Sequence, residues 1–246
     1  MKTFDLSLEL PFEPPHTERA RELIRIFGLR EERIRHQRLI HRCRIEVLAG
    51  DIIFITGPSG AGKTVLLDAM ADAIDPGDRL RMGDIPLEND RPVIDCFDGA
   101  VLSATGTLSR AGLSDVFCLL QTPAALSAGQ QFRYRLARAM VHPATYILAD
   151  EFTSTLDRIT AAVTAHHLRQ VASRSKKVFL LASSHEDMLR DLLPDILIVK
   201  DLLGRSKALY KERKRDPRSK QFWDGRKGIY TIDEALKYGT AGMLVL

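Results

Sequence analysis

The chain has 246 residues, of which 45% are hydrophobic and 28% charged, so it can bury one substantial core and is neither a disordered tract nor a collagen-like or staple-dependent mini-protein. No apolar run approaches the length of a membrane span, the start (MKTFDLSLELPFEPP) lacks the apolar core of a secretory signal, and the three cysteines form no CxxC pair, so a cytoplasmic chain with reduced thiols and no zinc pattern is expected. A formal charge of +4, from 36 Lys and Arg against 32 Asp and Glu, is too mild to imply a nucleic-acid partner by itself.

Residues 4–10 (FDLSLEL) alternate like a half-buried strand, and Pro11, Pro14 and Pro15 end it. A helix is expected over 17–28, with Thr17 as N-cap, an apolar stripe of Leu23, Ile24 and Phe27, and Gly28 at its end. Between 18 and 44 stand nine arginines against four glutamates. A solvated helical face accounts for them, and a phosphate-binding surface is the alternative. Next come DIIFIT (51–56), GPSGAGKT (57–64) and VLLDAMADAI (65–74), which read as strand, glycine-rich loop and helix. PVIDCF (92–97), TYILAD (145–150), KVFLLAS (177–183) and DILIVK (195–200) suit buried strands, with helices near 129–141, 157–173 and 186–193. That alternation predicts a mainly parallel sheet covered by helices. The segment 205–227 carries ten Lys or Arg against three acids, interleaved with Tyr210, Phe222 and Trp223. It suits either a solvated tail or a segment that contacts phosphates and stacks on bases. GIYTIDEALKYG (228–239) reads as a strand and a short helix.

Three patterns carry chemistry. In GPSGAGKT, small residues let backbone N–H groups wrap a phosphate, Lys63 reaches its outer oxygens, and the Thr64 hydroxyl can ligate Mg²⁺. The strand YILADE ends in two carboxylates, of which Asp150 is placed for the Mg²⁺ shell and Glu151 for polarising a water. An acidic pair of this kind is also a common helix cap. In LSAGQ, Ser127 and Gly129 offer a hydroxyl and open backbone at a helix start, which suits a phosphate.

With these three, STLD (154–157) and SSHED (183–187) complete an ordered series that resembles the ATP-binding cassette (ABC) ATPase superfamily from about Glu46 to Lys200. The resemblance implies an α/β P-loop fold and hydrolysis of ATP with Mg²⁺ in a head-to-tail homodimer. Residue by residue, it implies nucleotide binding by Gly57, Pro58, Ser59, Gly60, Ala61, Gly62, Lys63, Thr64 and Val65, with Ser127 and Gly129 capping ATP on the opposite protomer. Thr64 and Asp150 would support the metal, Glu151 would be the base, His185 would contact the γ-phosphate, and Asp157 would lie at the dimer seam. The chain departs from the family pattern at Ala128, at Phe152 in place of a proline, and at the missing glutamine after PVIDCF. There Asp98, or Asp95, is the candidate for a metal-shell role. His41 is the one candidate for stacking on the adenine.

The resemblance divides the chain into an N-terminal strand and Arg-rich helical segment (1–44), an ATPase core (45–200) and a basic C-terminal extension (201–246). Only 69 positions separate Gly57 from Leu126, so the helical subdomain that grips a membrane partner is expected to be shortened. TERARELIRIFGL (17–29) together with GDIIFITGPSGAGKT (50–64) looks similar to a soluble branch associated with acetyltransferase-like domains. A soluble process on nucleic acid, or on a nucleic-acid-modifying partner, is the expected role, a membrane-transport subunit the alternative, and a phosphoryl-transfer kinase the third reading.

Overall fold

A computed structural model describes residues 1–11, 16–29, 38–202, 206–211 and 229–230. Two antiparallel strands, β1 (Lys2–Pro11) and β2 (Arg38–Val47), form a separate ribbon and are joined through helix α1 (Glu18–Ile26). The main sheet holds β3 (Ile52–Thr56), β4 (Arg79–Arg81), β5 (Tyr146–Ala149), β6 (Val178–Ala182), β7 (Ile196–Lys200), β8 (Ser206–Lys211) and β9 (Ile229–Tyr230), in the order β4-β5-β6-β3-β7-β8-β9. Strands β3 to β7 run parallel, and β8 returns antiparallel to β7. The expected mainly parallel α/β sheet is therefore present.

The alternation of β3 sorts the core into two halves. Ile53 and Ile55 face α2 (Lys63–Asp72) and the ribbon, where they pack with Phe4, Ile45, Leu66, Leu67 and Met70. Ile52 and Phe54 face the opposite layer, built from α3 (Val101–Arg110), α4 (Val116–Leu119), α5 (Ala128–Val141) and α6 (Arg158–Ser175). All five side chains of β3 are buried, as are those of β6 and β7. Such apolar runs belong to strands covered on both faces. A last short helix, α7 (Leu189–Leu192), covers less of the chain than the 186–193 segment expected of it.

Thr17 caps α1 as expected, its hydroxyl accepting the Ala20 N–H at 3.2 Å. Of the expected apolar stripe, Leu23 and Phe27 are exposed and Ile24 is half-buried, and no residue of α1 is fully buried. The Arg-rich segment is helical only in part. Positions 38–47 form β2, in which Cys43, Ile45 and Val47 face inward and Arg42 and Arg44 face solvent. The boundary expected at 44 thus falls inside a strand.

PVIDCF is a correction. Val93–Cys96 is a 3-10 turn, not a strand, because its buried residues Val93 and Cys96 are spaced three apart while Asp95 points to water. The turn packs against α3 and α4. The strand that follows α2 is instead the polar RLR of β4, at the sheet edge. The segments 212–228 and 231–246, with Phe222, Trp223 and most of the second basic run, lie outside the described residues.

Two buried charges hold the sheet's rim. Asp195, 1% exposed, pairs with Arg169 at 2.6 Å and accepts the Ile52 N–H at 2.8 Å. Lys200 at the end of β7 is fully buried, its ammonium donates to the Ser206 hydroxyl at 3.0 Å, and burial lowers its pKa to about 8. Removing one member of a buried pair strands the other charge, so Arg169→Ala should lose about 3–5 kcal/mol in urea unfolding. Lys200 releases its proton more readily when folded, so folding is opposed below pH 8 and relieved as pH rises toward the unfolded value of 10.5. Relative to Lys200→Met, the wild type should gain about 1.4 kcal/mol per pH unit across that window; equal slopes for both would refute the assignment.

Candidate nucleotide site

The loop after β3 is shaped by what its neighbours leave room for. Gly57 has φ of +142°, and a Cβ there would collide with the backbone carbonyl of Lys200 on β7. Gly62 caps α2 in the left-handed region at φ +78°, a conformation in which a side chain is strained. Ala61 is buried beneath the loop, while Pro58, Ser59 and Gly60 form its exposed crown. The Lys63 ammonium folds back over this crown and donates to the Gly57 and Pro58 carbonyls at 2.9 and 3.0 Å. Val65 follows within α2 and is partly exposed. The result is a cradle of backbone donors at the start of a helix, with one cation across it, which is suited to a phosphate chain.

Asp150 stands at the tip of β5 beside this cradle. Its Oδ2 accepts the Thr64 hydroxyl at 2.7 Å and its Oδ1 accepts the Glu151 N–H at 2.9 Å. Glu151 and Thr153 both have positive φ, +48° and +63°, and between them Phe152 plunges into the core. The Phe152 N–H donates to Ala182 O of β6 at 2.8 Å, and its ring meets Phe132 at 5.8 Å. This explains the aromatic residue in place of a proline: it anchors the turn while Glu151 stays exposed.

His185 follows β6, is exposed, and has its N–H held by the Ser183 hydroxyl at 3.1 Å. It shares an open cavity of about 340 Å³ with Thr153, Ser154 and Leu156. Asp157 caps α6, accepting the Thr160 N–H at 3.0 Å, and that bond holds its carboxyl below the usual carboxylate range. Ser127 caps α5 in a reciprocal box with Gln130, and a Cβ on Gly129 would lie 3.2 Å from Leu156. The structure therefore unites Lys63, Thr64, Asp150 and Glu151 in one group. It sets Gly129 against the 154–157 loop, and the Ser154 N–H of that loop donates to the Glu151 carbonyl at 3.0 Å.

Asp98 does not join the first group. It is exposed just after the 3-10 turn on the helical layer, whereas the cleft beside Asp150 is lined by Arg81, Met82, Gly83, Asp84, Phe132 and Arg135. The acidic residue facing that cleft is Asp84, reached from the end of β4. The His41 side chain lies outside the described residues. Sequence reasoning also missed the Thr56 hydroxyl donating to Glu186 at 3.1 Å, and the Arg158–Asp187 pair at 3.0 Å that lowers the Asp187 pKa. These contacts tie the His185 segment to β3 and α6. Hydroxyl and charge partners for SSHED are visible only once the strands are aligned.

No protein-family model matches the chain. It is 28% identical over 200 residues to an aliphatic sulfonates import ATP-binding protein of Nocardia farcinica, covering 74% of this chain and 80% of that one. It is also 28% identical over 176 residues to a phosphonates import ATP-binding protein of Haloquadratum walsbyi, covering 58% of each. Among solved structures, a dimeric ATP-binding cassette in a post-hydrolysis state with ADP and phosphate superposes with a TM-score of 0.55 at 20% identity, over 72% of this chain and 93% of that one. These relatives lend no support to the acetyltransferase-associated branch. Fold, relatives and site geometry together support one placement at the level of the superfamily: an ATPase of the ATP-binding cassette type.

Proposed function

We propose that the chain is the ATP-hydrolysing subunit of a membrane import system, working as a head-to-tail dimer that closes on ATP. The observation that carries the hydrolytic half is the contact of Thr64 with Asp150, beside a Glu151 held outward by a strained turn. Two protein oxygens 2.7 Å apart suit Mg²⁺, which keeps waters and takes substrate phosphates for its remaining positions. When bound, the ion would neutralise charge on the β- and γ-oxygens.

The protein's own residues do the rest. The Lys63 ammonium exchanges two loop carbonyls for phosphate oxygens, the Glu151 carboxylate orients a water and accepts its proton, and His185 reads the γ-phosphate. Ser127 and Gly129 of one protomer cap the nucleotide of the other, with Asp157 near the seam.

Transport is preferred to a nucleic-acid role because the relatives compared are import ATP-binding proteins. The helical layer also exposes large apolar side chains, Val101, Leu102, Val116 and Phe117, on the two helices that pack against the 93–96 turn, and Leu120 just after the second. An apolar patch of this kind marks a partner surface. Among the described residues no helix is long and apolar enough to cross a membrane, so the membrane path would come from the partner.

Glu151→Gln should keep ATP binding and lose about 100-fold or more in turnover, since an amide cannot take the proton. Lys63→Ala should instead weaken nucleotide binding itself; single-turnover hydrolysis and equilibrium titration separate the two effects. Mixing Lys63→Ala with Ser127→Arg chains should restore part of the activity that each lacks alone, and no recovery in the mixture would rule out the shared site. For the transport half, the tagged chain should co-purify stoichiometrically with a polytopic protein from detergent-solubilised membranes. Phe117→Asp with Leu120→Asp should release that protein at unchanged basal hydrolysis. Salt-dependent binding to duplex DNA without any membrane partner would favour the nucleic-acid role instead.

A further inference from the structure

A second cavity, away from the nucleotide loop, lies where the C-terminal ends of α3, α5 and α6 converge. It measures about 250 Å³, and its walls include Arg110, Met140, His167, Gln170, Val171 and Arg174. No carboxylate lines it.

Three features give this cavity a chemical preference. Arg110 and Arg174 are in the last turns of two different helices, and among the described residues neither guanidinium has an ion pair; Arg110 bonds only the Thr107 hydroxyl, at 3.0 Å. A single arginine in a last turn is explained by the helix carbonyls it faces. Two that converge on one cavity with no acid between them leave an excess of positive charge that the helix ends do not consume. His167 adds a buried Nδ1 without any hydrogen-bond partner, and a buried orphan polar atom is costly unless a ligand or water satisfies it. Met140, Val141 and Val171 supply an apolar wall. Concave, largely apolar walls with a few convergent polar groups are the make-up of small-molecule sites.

We propose that this cavity binds a small organic anion carrying an apolar tail, with its charged head between Arg110 and Arg174 and its tail against Met140 and Val171. The site bridges the helical layer and α6. It also sits one turn from Gly112, whose carbonyl receives the Arg133 guanidinium at 3.0 Å, while the same side chain bonds Gly129 O at 3.1 Å. An occupant therefore braces the segment that carries Ser127. The inference does not depend on the transport reading.

Hexanesulfonate is a suitable probe, titrated calorimetrically into the full chain saturated with a non-hydrolysable ATP analogue so that the phosphate loop is blocked. It should bind, and it should raise the thermal midpoint. Hexylammonium, with the same tail and opposite charge, should not bind, and inorganic sulfate, without a tail, should bind at least about tenfold more weakly. Arg110→Gln with Arg174→Gln should lower hexanesulfonate affinity by about tenfold or more. Because both arginines are exposed, Arg110→Glu with Arg174→Glu can also be made, and it should favour hexylammonium. Binding that is indifferent to the sign of the probe, or unchanged in the double variants, or absent at millimolar concentration, would overturn the proposal.

Discussion

The close approach of Gly57 to the Lys200 carbonyl is the constraint on which the site rests. Strands β3 and β7 lie side by side and parallel, so the chain leaving β3 must turn at once or run into the end of β7. Only a residue without Cβ can make that turn, and the loop it opens aims its N–H groups outward over α2. Everything else at the site is positioned relative to that loop. Asp150 arrives because β5 sits two strands away in the same parallel set, and His185 because β6 lies between them. The edge that carries the phosphate loop is thus a property of strand order.

Much of this was legible in the sequence because the decisive segments are short and chemically extreme. The β-branched run 52–56 and the glycine-rich loop after it allow one local structure, and the apolar runs at 146–149, 178–182 and 196–200 allow little else. Of the residues expected around the phosphate loop, Thr64 and Asp150 are in direct contact. The segments that the sequence left unassigned have weak or mixed periodicity. VLSATGTLSR forms α3 despite its Ser, Thr and Gly content, because tertiary burial of Ala104, Thr107 and Leu108 overrides propensity. RLR forms β4 because it completes a sheet edge, for which no apolar pattern is needed.

The error over Asp98 has the same root. PVIDCF looks like a strand by composition, so the acid following it was expected at the sheet's catalytic edge. Once RLR is the strand, Asp84 takes that place and Asp98 moves to the helical layer. Pairing order is a non-local fact. A single misassigned strand displaces every residue counted from it, even when each motif is identified correctly.

The turn holding Glu151 has a consequence for how this protein can change. Two non-glycine excursions into the left-handed region, at Glu151 and Thr153 on either side of Phe152, store about 1–3 kcal/mol each, and they persist because Phe152 is riveted into the core. Glycine at either position would relax the backbone, so the fold could become more robust, at position 151 by giving up the carboxylate proposed as the base. With Glu151 as the proposed base, drift toward greater thermal tolerance is blocked at position 151 by function rather than by packing, a local trade-off between stability and activity. Directed evolution for heat resistance without selection for turnover would be drawn to position 151 and would discard the proposed base in exchange for a sturdier fold.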